Sequence, residues 1–240
     1  MSNEITKHEN GSLMQADKNQ RGFESGVDQE DLIIPRAKLI QALSPEMQEG
    51  LEGIKIGSII NSLTKEMLPD EFIPIFAFKN YIRFNPRSKD DPNFDPAFEP
   101  GAIIWRSSDP SDPLVQEQTK FGRNGEKPVA ITFLNFFSYF PGVPMPVIVS
   151  FSKTSYRTGK QLLSLGKFCG GDMFSRKYKL ASQMETNDIG TYAVLKVTPV
   201  GNSSPDDFAI CERLWNDFAG KAKDIQVHTE EEPADEERPY

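Results

Sequence analysis

Apolar residues along the middle of the chain fall mostly in short runs that alternate with polar ones or are rich in β-branched and aromatic types. Phe72 to Phe84 (FIPIFAFKNYIRF), Ala102 to Arg106, Val129 to Phe140, Pro146 to Tyr156, Tyr178 to Met184 and Thr191 to Val200 each read as a strand, and Lys55 to Ser62 as a weaker one. Two stretches carry helical spacing instead, Thr158 to Phe168 and Ser204 to Ala222. The second has Ser204 as N-cap, Pro205 at N1, Asp206 and Asp207 in its first turn, and an apolar stripe of Phe208, Ile210, Cys211, Leu214, Trp215 and Phe218. Pro35 and Pro45 confine any helix between them to a short piece around Arg36 to Leu43. Residues 1–30 and 225–240 lack periodic apolar positions, so disordered termini are expected around one domain at 31–224.

The order of these elements, with a helix between the third and fourth main strands, predicts a mainly β fold. An OB-like five-stranded Greek-key barrel with an inserted helix and a C-terminal helix has that order. PGVP at Pro141 to Pro144 and ETNDIG at Glu185 to Gly190 supply the turns. One strand raises a question. In FLNFFSYFPG, Phe133, Phe137 and Tyr139 share one face and Leu134, Phe136 and Phe140 the other, yet a single core needs only one apolar face.

The formal charge of −8 is unevenly spread. Residues 1–31 carry −4 and residues 229–240 carry −5, which leaves +1 for residues 32–228. Residues 120–180 hold ten Lys or Arg against two acids, a basic tract of +8. Residues 89–119, acidic and proline-broken, read as loop and turn.

Most catalytic chemistries find no footing. His8 and His228 lie in the polar termini, a poor setting for a general base, and Cys169 and Cys211 are isolated, so neither a zinc site nor a catalytic triad can be assembled. TGKQ at Thr158 to Gln161 lacks the first Gly and the final Ser or Thr of a phosphate loop. Asp90, Asp91, Asp95 and Glu99 do not have calcium-loop spacing. No cofactor, metal or enzymatic activity is expected. The polar start MSNEITKHENGS and the lack of a long apolar run point to a cytoplasmic protein without a membrane partner.

What stands out is basic and aromatic residues interleaved on strands. One group is Lys79, Tyr81, Arg83, Phe84 and Arg87, and another is Lys120, Phe121, Arg123 and Lys127. A third is Lys153, Tyr156, Arg157 and Lys160, and a fourth is Lys167, Phe168, Phe174, Arg176, Lys177 and Tyr178. Phe137 and Tyr139 are taken as the ligand-facing rings of their strand. Cations along a phosphate track and rings that stack on uncovered bases are what single-stranded nucleic acid requires. The acidic tail, with Glu230, Glu231, Glu232, Asp235, Glu236, Glu237 and Tyr240, resembles DNA in charge, so it suits both a decoy for the basic groove and a hook for partner proteins.

A basic, aromatic OB-like core followed by an acidic tail with a terminal aromatic resembles phage single-stranded-DNA-binding proteins, including those of T7-like phages. The segments GFESGVDQEDLIIPRAKLIQALSPEMQEG, GSIINSLTKEML, YRTGKQLLS and NDIGTYAVLKVTPVG are similar to phage-encoded proteins of that class, over roughly residues 22–200. Known tails of the class commonly end in Phe after acids, whereas here Arg238 and Pro239 precede Tyr240. The resemblance implies coating of exposed DNA during replication and recombination in the host cytoplasm, tail contacts with replication proteins such as DNA polymerase or helicase, and no catalysis. Homo-oligomerisation is left open. The alternatives are a phage structural or assembly protein whose basic surface meets another protein, and a metal-dependent nuclease using the Asp90 to Glu99 carboxylates.

Overall fold

A computed structural model describes residues 32–221 apart from positions 124, 188 and 189. Among the described residues eight strands form: β1 (Ala37–Leu39), β2 (Ile59–Asn61), β3 (Glu71–Phe84), β4 (Ile103–Ser107), β5 (Ile131–Tyr139), β6 (Val147–Phe151), β7 (Arg176–Asn187) and β8 (Gly190–Asn202). The helices are α1 (Pro45–Glu49), α2 (Pro113–Gln118), α3 (Tyr156–Phe168) and α4 (Pro205–Phe218). The protein is mainly β, as its alternating runs predict.

One antiparallel sheet runs β6-β5-β3-β7-β8, with β4 also paired to β3; β1 and β2 make a small separate sheet. The long β3 organises this arrangement. Ile73 to Ile82 pair with β5 on one edge, while the opposite edge takes β7 at Glu71 and Phe72 and β4 at Tyr81 to Phe84. Pro74 has no N–H to give the ladder, and the strand accommodates it with a register shift between Pro74 and Phe76.

The expected five-stranded closed barrel is not found among the described residues. The sheet has six strands and stays open between its edge strands β6 and β8. The segment around β1 bridges that gap. Arg36 forms a parallel bridge to Ile148 of β6, and the Gln41 side chain clasps Ala193 of β8, donating to its carbonyl at 2.9 Å and accepting from its N–H at 3.0 Å. This segment is also where the expected short helix is replaced. Arg36 to Leu39 is extended because Ile34, Ala37 and Ile40 bury themselves and β1 pairs with β2; Ala42 and Leu43 then turn, and the helix starts only at Pro45, after Ser44. A second departure is α2, which lies in the stretch read as loop and is capped by Asp112 accepting from the Leu114 N–H.

Two apolar clusters lie on opposite faces of the sheet. The larger gathers Phe72, Leu134, Phe136, Phe140, Val149, Phe151, Tyr178, Leu180, Leu195 and Val197, closed by Leu162 of α3. Gly159 and Gly166 are also buried on α3. A Cβ on Gly159 would lie 2.7 Å from the Phe151 Cβ, so the absent side chain lets the helix backbone approach the sheet. That contact gives the glycine of TGKQ a packing role. The second cluster holds Ile34, Ile73, Ile75, Phe137, Tyr139, Ile148 and Phe174 beneath α4, which contributes Cys211, Phe208, Ile210, Leu214 and Phe218. Desolvation, with Asp207 nearby, pushes the Cys211 thiol up to about 12, so it stays protonated and packs as an apolar group. Among the described residues no helix is long and apolar enough to cross a membrane.

Candidate nucleic-acid interface

Strand register answers the question posed by FLNFFSYFPG. Leu134 and Phe136 face the larger core, while Phe133, Asn135 and Phe137 pair across to Asn80, Phe78 and Phe76 on the other face. This second face is divided along its length. Over one half α4 lies on it, stacking Phe218 on Phe137 at 5.1 Å, with Phe76 on the same ring at 4.8 Å. Phe137 is 0 % exposed and Tyr139 7 %. The expectation that these two rings meet the ligand is therefore corrected: they are core beneath a helix whose docking position the strand's alternation does not encode. Tyr81 and Tyr178 are corrected likewise, both buried, Tyr178 against Phe72 at 6.2 Å. A ring sealed in this way has no face for a base to stack on.

Over the other half of the face there is a depression lined by Arg36, Asn80, Ile82, Arg106, Phe133, Asn135 and Ser150. Four strands and the β1 segment supply it, since Asn80 and Ile82 come from β3, Arg106 from β4, Phe133 and Asn135 from β5, and Ser150 from β6. Its floor is a chain of polar side chains. The Ser150 hydroxyl donates to Asn135 Oδ1 at 2.7 Å, and Asn135 Nδ2 donates to Asn80 Oδ1 at 3.1 Å. Asn80 and Asn135 are 6 % and 2 % exposed, so these bonds offset part of the cost of burying their amides. Half-buried Phe133 forms one wall, edge-on to Phe84 at 6.4 Å. Arg36 is fixed through its backbone, its N–H donating to Ser62 Oγ at 3.0 Å. Arg106 is exposed at the edge of the depression, and desolvation lowers its pKa from the ordinary guanidinium value.

The loop after α2 leads into β5. Its base is pinned by Ala130 N–H donating to the Gln118 carbonyl, and the Gln118 side chain accepts from Trp105 Nε1 at 3.1 Å and Arg83 Nη1 at 3.4 Å. Lys120, Phe121, Arg123 and Lys127 are all exposed on it, Phe121 to 72 %. The loop leads into the end of β5 that carries Phe133.

The remaining predicted residues are dispersed. Arg157, Lys160 and Lys167 are exposed on α3, where Lys160 lies 5.7 Å from the Tyr156 ring; Lys153 is exposed just before it. Lys79 is exposed on β3, and Phe84 and Arg87 are half-buried near its end. Others serve the fold. Lys177 pairs with Glu71 at 2.7 Å, and that carboxylate raises its pKa. Arg176 donates to Asn202 Oδ1 at 2.6 Å, and Arg83 also holds the Asn93 carbonyl at 3.3 Å. Glu230, Glu231, Glu232, Asp235, Glu236, Glu237 and Tyr240 lie outside the described residues.

Residues 6–224 match the Pam3 phage gp34-like protein family. The chain belongs to that family. The match supports a phage protein and covers the whole described region, including every residue of the depression. Comparisons with curated proteins and with solved structures returned no match.

Sequence reasoning missed Arg36, Asn80, Arg106, Asn135 and Ser150. The cation-and-ring criterion passes over amides, yet asparagine is depleted in strands. Two of them, in Phe72 to Phe84 and Val129 to Phe140, were the available signal. Of the carboxylates Asp90, Asp91, Asp95 and Glu99, Asp91 accepts from the Asn93 N–H at 2.8 Å and Asp95 from the Ala97 N–H at 2.9 Å.

Proposed function

We propose that this phage-family protein binds single-stranded DNA with little sequence preference through the uncovered half of the β3-β5-β6 face and the loop at 119–127. It would protect exposed strands during replication and recombination in the host cytoplasm, with no catalytic step. The observation that carries this reading is the depression itself, in which two guanidiniums lie together with an aromatic wall; the loop that leads into β5 adds an exposed ring and three cations. Charge of that kind tracks phosphates, and half-exposed rings stack on unpaired bases.

The topology supports the same reading. With β4 set aside, β3, β5, β6, α3, β7 and β8 follow in the order of an OB-type Greek key, the first strand pairing with the second and the fourth. In such a barrel the third and fifth strands approach each other, and here the β1 segment lies between them. Outer strand faces flanked by loops are where that architecture takes oligonucleotides. Residues 225–240 are proposed as the acidic segment that competes for the basic face and recruits replication proteins.

The test is fluorescence anisotropy of labelled oligo(dT) against the full-length protein at low salt, with a duplex of equal length as competitor. Saturable binding that the duplex displaces poorly is expected. Absence of binding defeats the proposal, and stable higher oligomers indifferent to DNA would favour the assembly role.

A further inference from the structure

The floor of the depression is a donor surface. Asn80 is 94 % buried, and its Oδ1 is already taken by Asn135. Its Nδ2 makes no hydrogen bond among the described residues, while the Asn135 Oδ1 is occupied by the Ser150 hydroxyl. The unpartnered atom of the Asn80 amide is therefore a donor. Arg36 and Arg106 add only donors and positive charge.

An adenine read by asparagine needs both the donor and the acceptor of the side-chain amide. With Oδ1 already accepting from Asn135, the atom of Asn80 left without a partner is its donor, which that mode uses only in part. A phosphodiester fits instead, since it is anionic, presents only acceptors, and is the group that guanidinium forks and amide N–H groups bind most strongly. Phe133 stands at the rim, where the base attached to that phosphate has a ring to lie against.

We infer that the depression seats one backbone phosphate of the bound strand, gripped by Asn80 Nδ2, Arg36 and Arg106, and that it reads no base edge. This deepens the strand-binding proposal and rests on it for the identity of the ligand. The burial of Asn80 sets this seat apart from the solvated lysines of the loop, because a donor held in a partly desolvated site loses less of its interaction to water.

The test uses full-length protein with labelled side-chain amides and arginines, titrated separately with inorganic phosphate, dTMP and thymidine. Phosphate and dTMP should shift the Asn80 Nδ2 and Arg106 Nε resonances saturably, and thymidine should not. In parallel, Asn80→Ala should weaken oligo(dT) binding about tenfold, and Arg106→Gln should lower the slope of log affinity against log salt by ~0.7. Shifts with thymidine but not with phosphate would assign the depression to a base and overturn the inference. So would wild-type oligo(dT) binding with no response to phosphate or dTMP, which leaves the strand-binding reading standing. Shifts with phosphate and none with oligo(dT) would do the reverse.

Discussion

Replacing Glu46 by Gln tests the anchor of the β1 segment, and hence the placement of Arg36. Glu46 is 1 % exposed on α1, its Oε1 2.7 Å from Lys38 Nζ and 3.0 Å from Lys65 Nζ. Burial alone would raise its pKa, but the hydrogen bonds from Lys38, the backbone and Lys65 outweigh it and lower the carboxyl from 4.5 to about 2. At ~1.4 kcal/mol for each tenfold change in proton affinity, this corresponds to about 3 kcal/mol of folding stability. The folded pKa lies below the unfolded one, so the contribution is complete above pH 4.5, fades as pH falls towards about 2, and is gone below that. At pH 7, Glu46→Gln should cost about 3–5 kcal/mol, because the buried Lys38 ammonium then faces an amide. The assay is urea unfolding followed by tryptophan fluorescence between pH 2 and 7. Pairing the change with Lys38→Met should recover much of the loss. A loss below ~1 kcal/mol at pH 7, or an acid profile unchanged in the variant, would refute the reasoning.

Gly159→Ala places a methyl 2.7 Å from the Phe151 Cβ and 2.9 Å from its Cγ, and should cost ~1–3 kcal/mol in denaturant unfolding; a neutral outcome contradicts the close approach of α3. Phe121→Ala should leave stability within ~0.5 kcal/mol yet weaken oligo(dT) binding by ~1–3 kcal/mol, as measured by anisotropy. Phe137→Ala should instead cost ~3–5 kcal/mol of stability, and a stable variant with selective loss of binding would restore that ring to the interface. Deleting residues 229–240 should tighten binding at low salt, and an unchanged affinity would remove the tail from competition for the basic face.

Strand periods were legible because each main strand carries its own alternation, and α4 because cap, proline and apolar stripe agree locally. Long-range choices were not. Nothing in FLNFFSYFPG states that α4 covers Phe137 and Tyr139 while stopping short of Phe133, since that depends on a helix almost 70 residues further along. Between Pro35 and Pro45, local spacing suggested a helix where pairing with β2 imposes a strand. The cations show the same limit. Lys177 reads like Lys120 in sequence, yet Glu71 holds the first, while the second stands exposed on a loop. The amides of the depression converge only through register, as Asn80 and Asn135 are 55 positions apart.

The central claim is tested most directly by titrating the protein with poly(dT) at several salt concentrations, read through intrinsic fluorescence, with Trp105 hydrogen-bonded at the base of the basic loop as a local reporter. Five cations meet the strand in this account: Arg36, Arg106, Lys120, Arg123 and Lys127. At ~0.7 per phosphate neutralised, log affinity should fall against log salt with a slope near −3.5, about a hundredfold between ~50 and ~200 mM. A flat salt dependence, or no fluorescence response at the lowest salt, would contradict it.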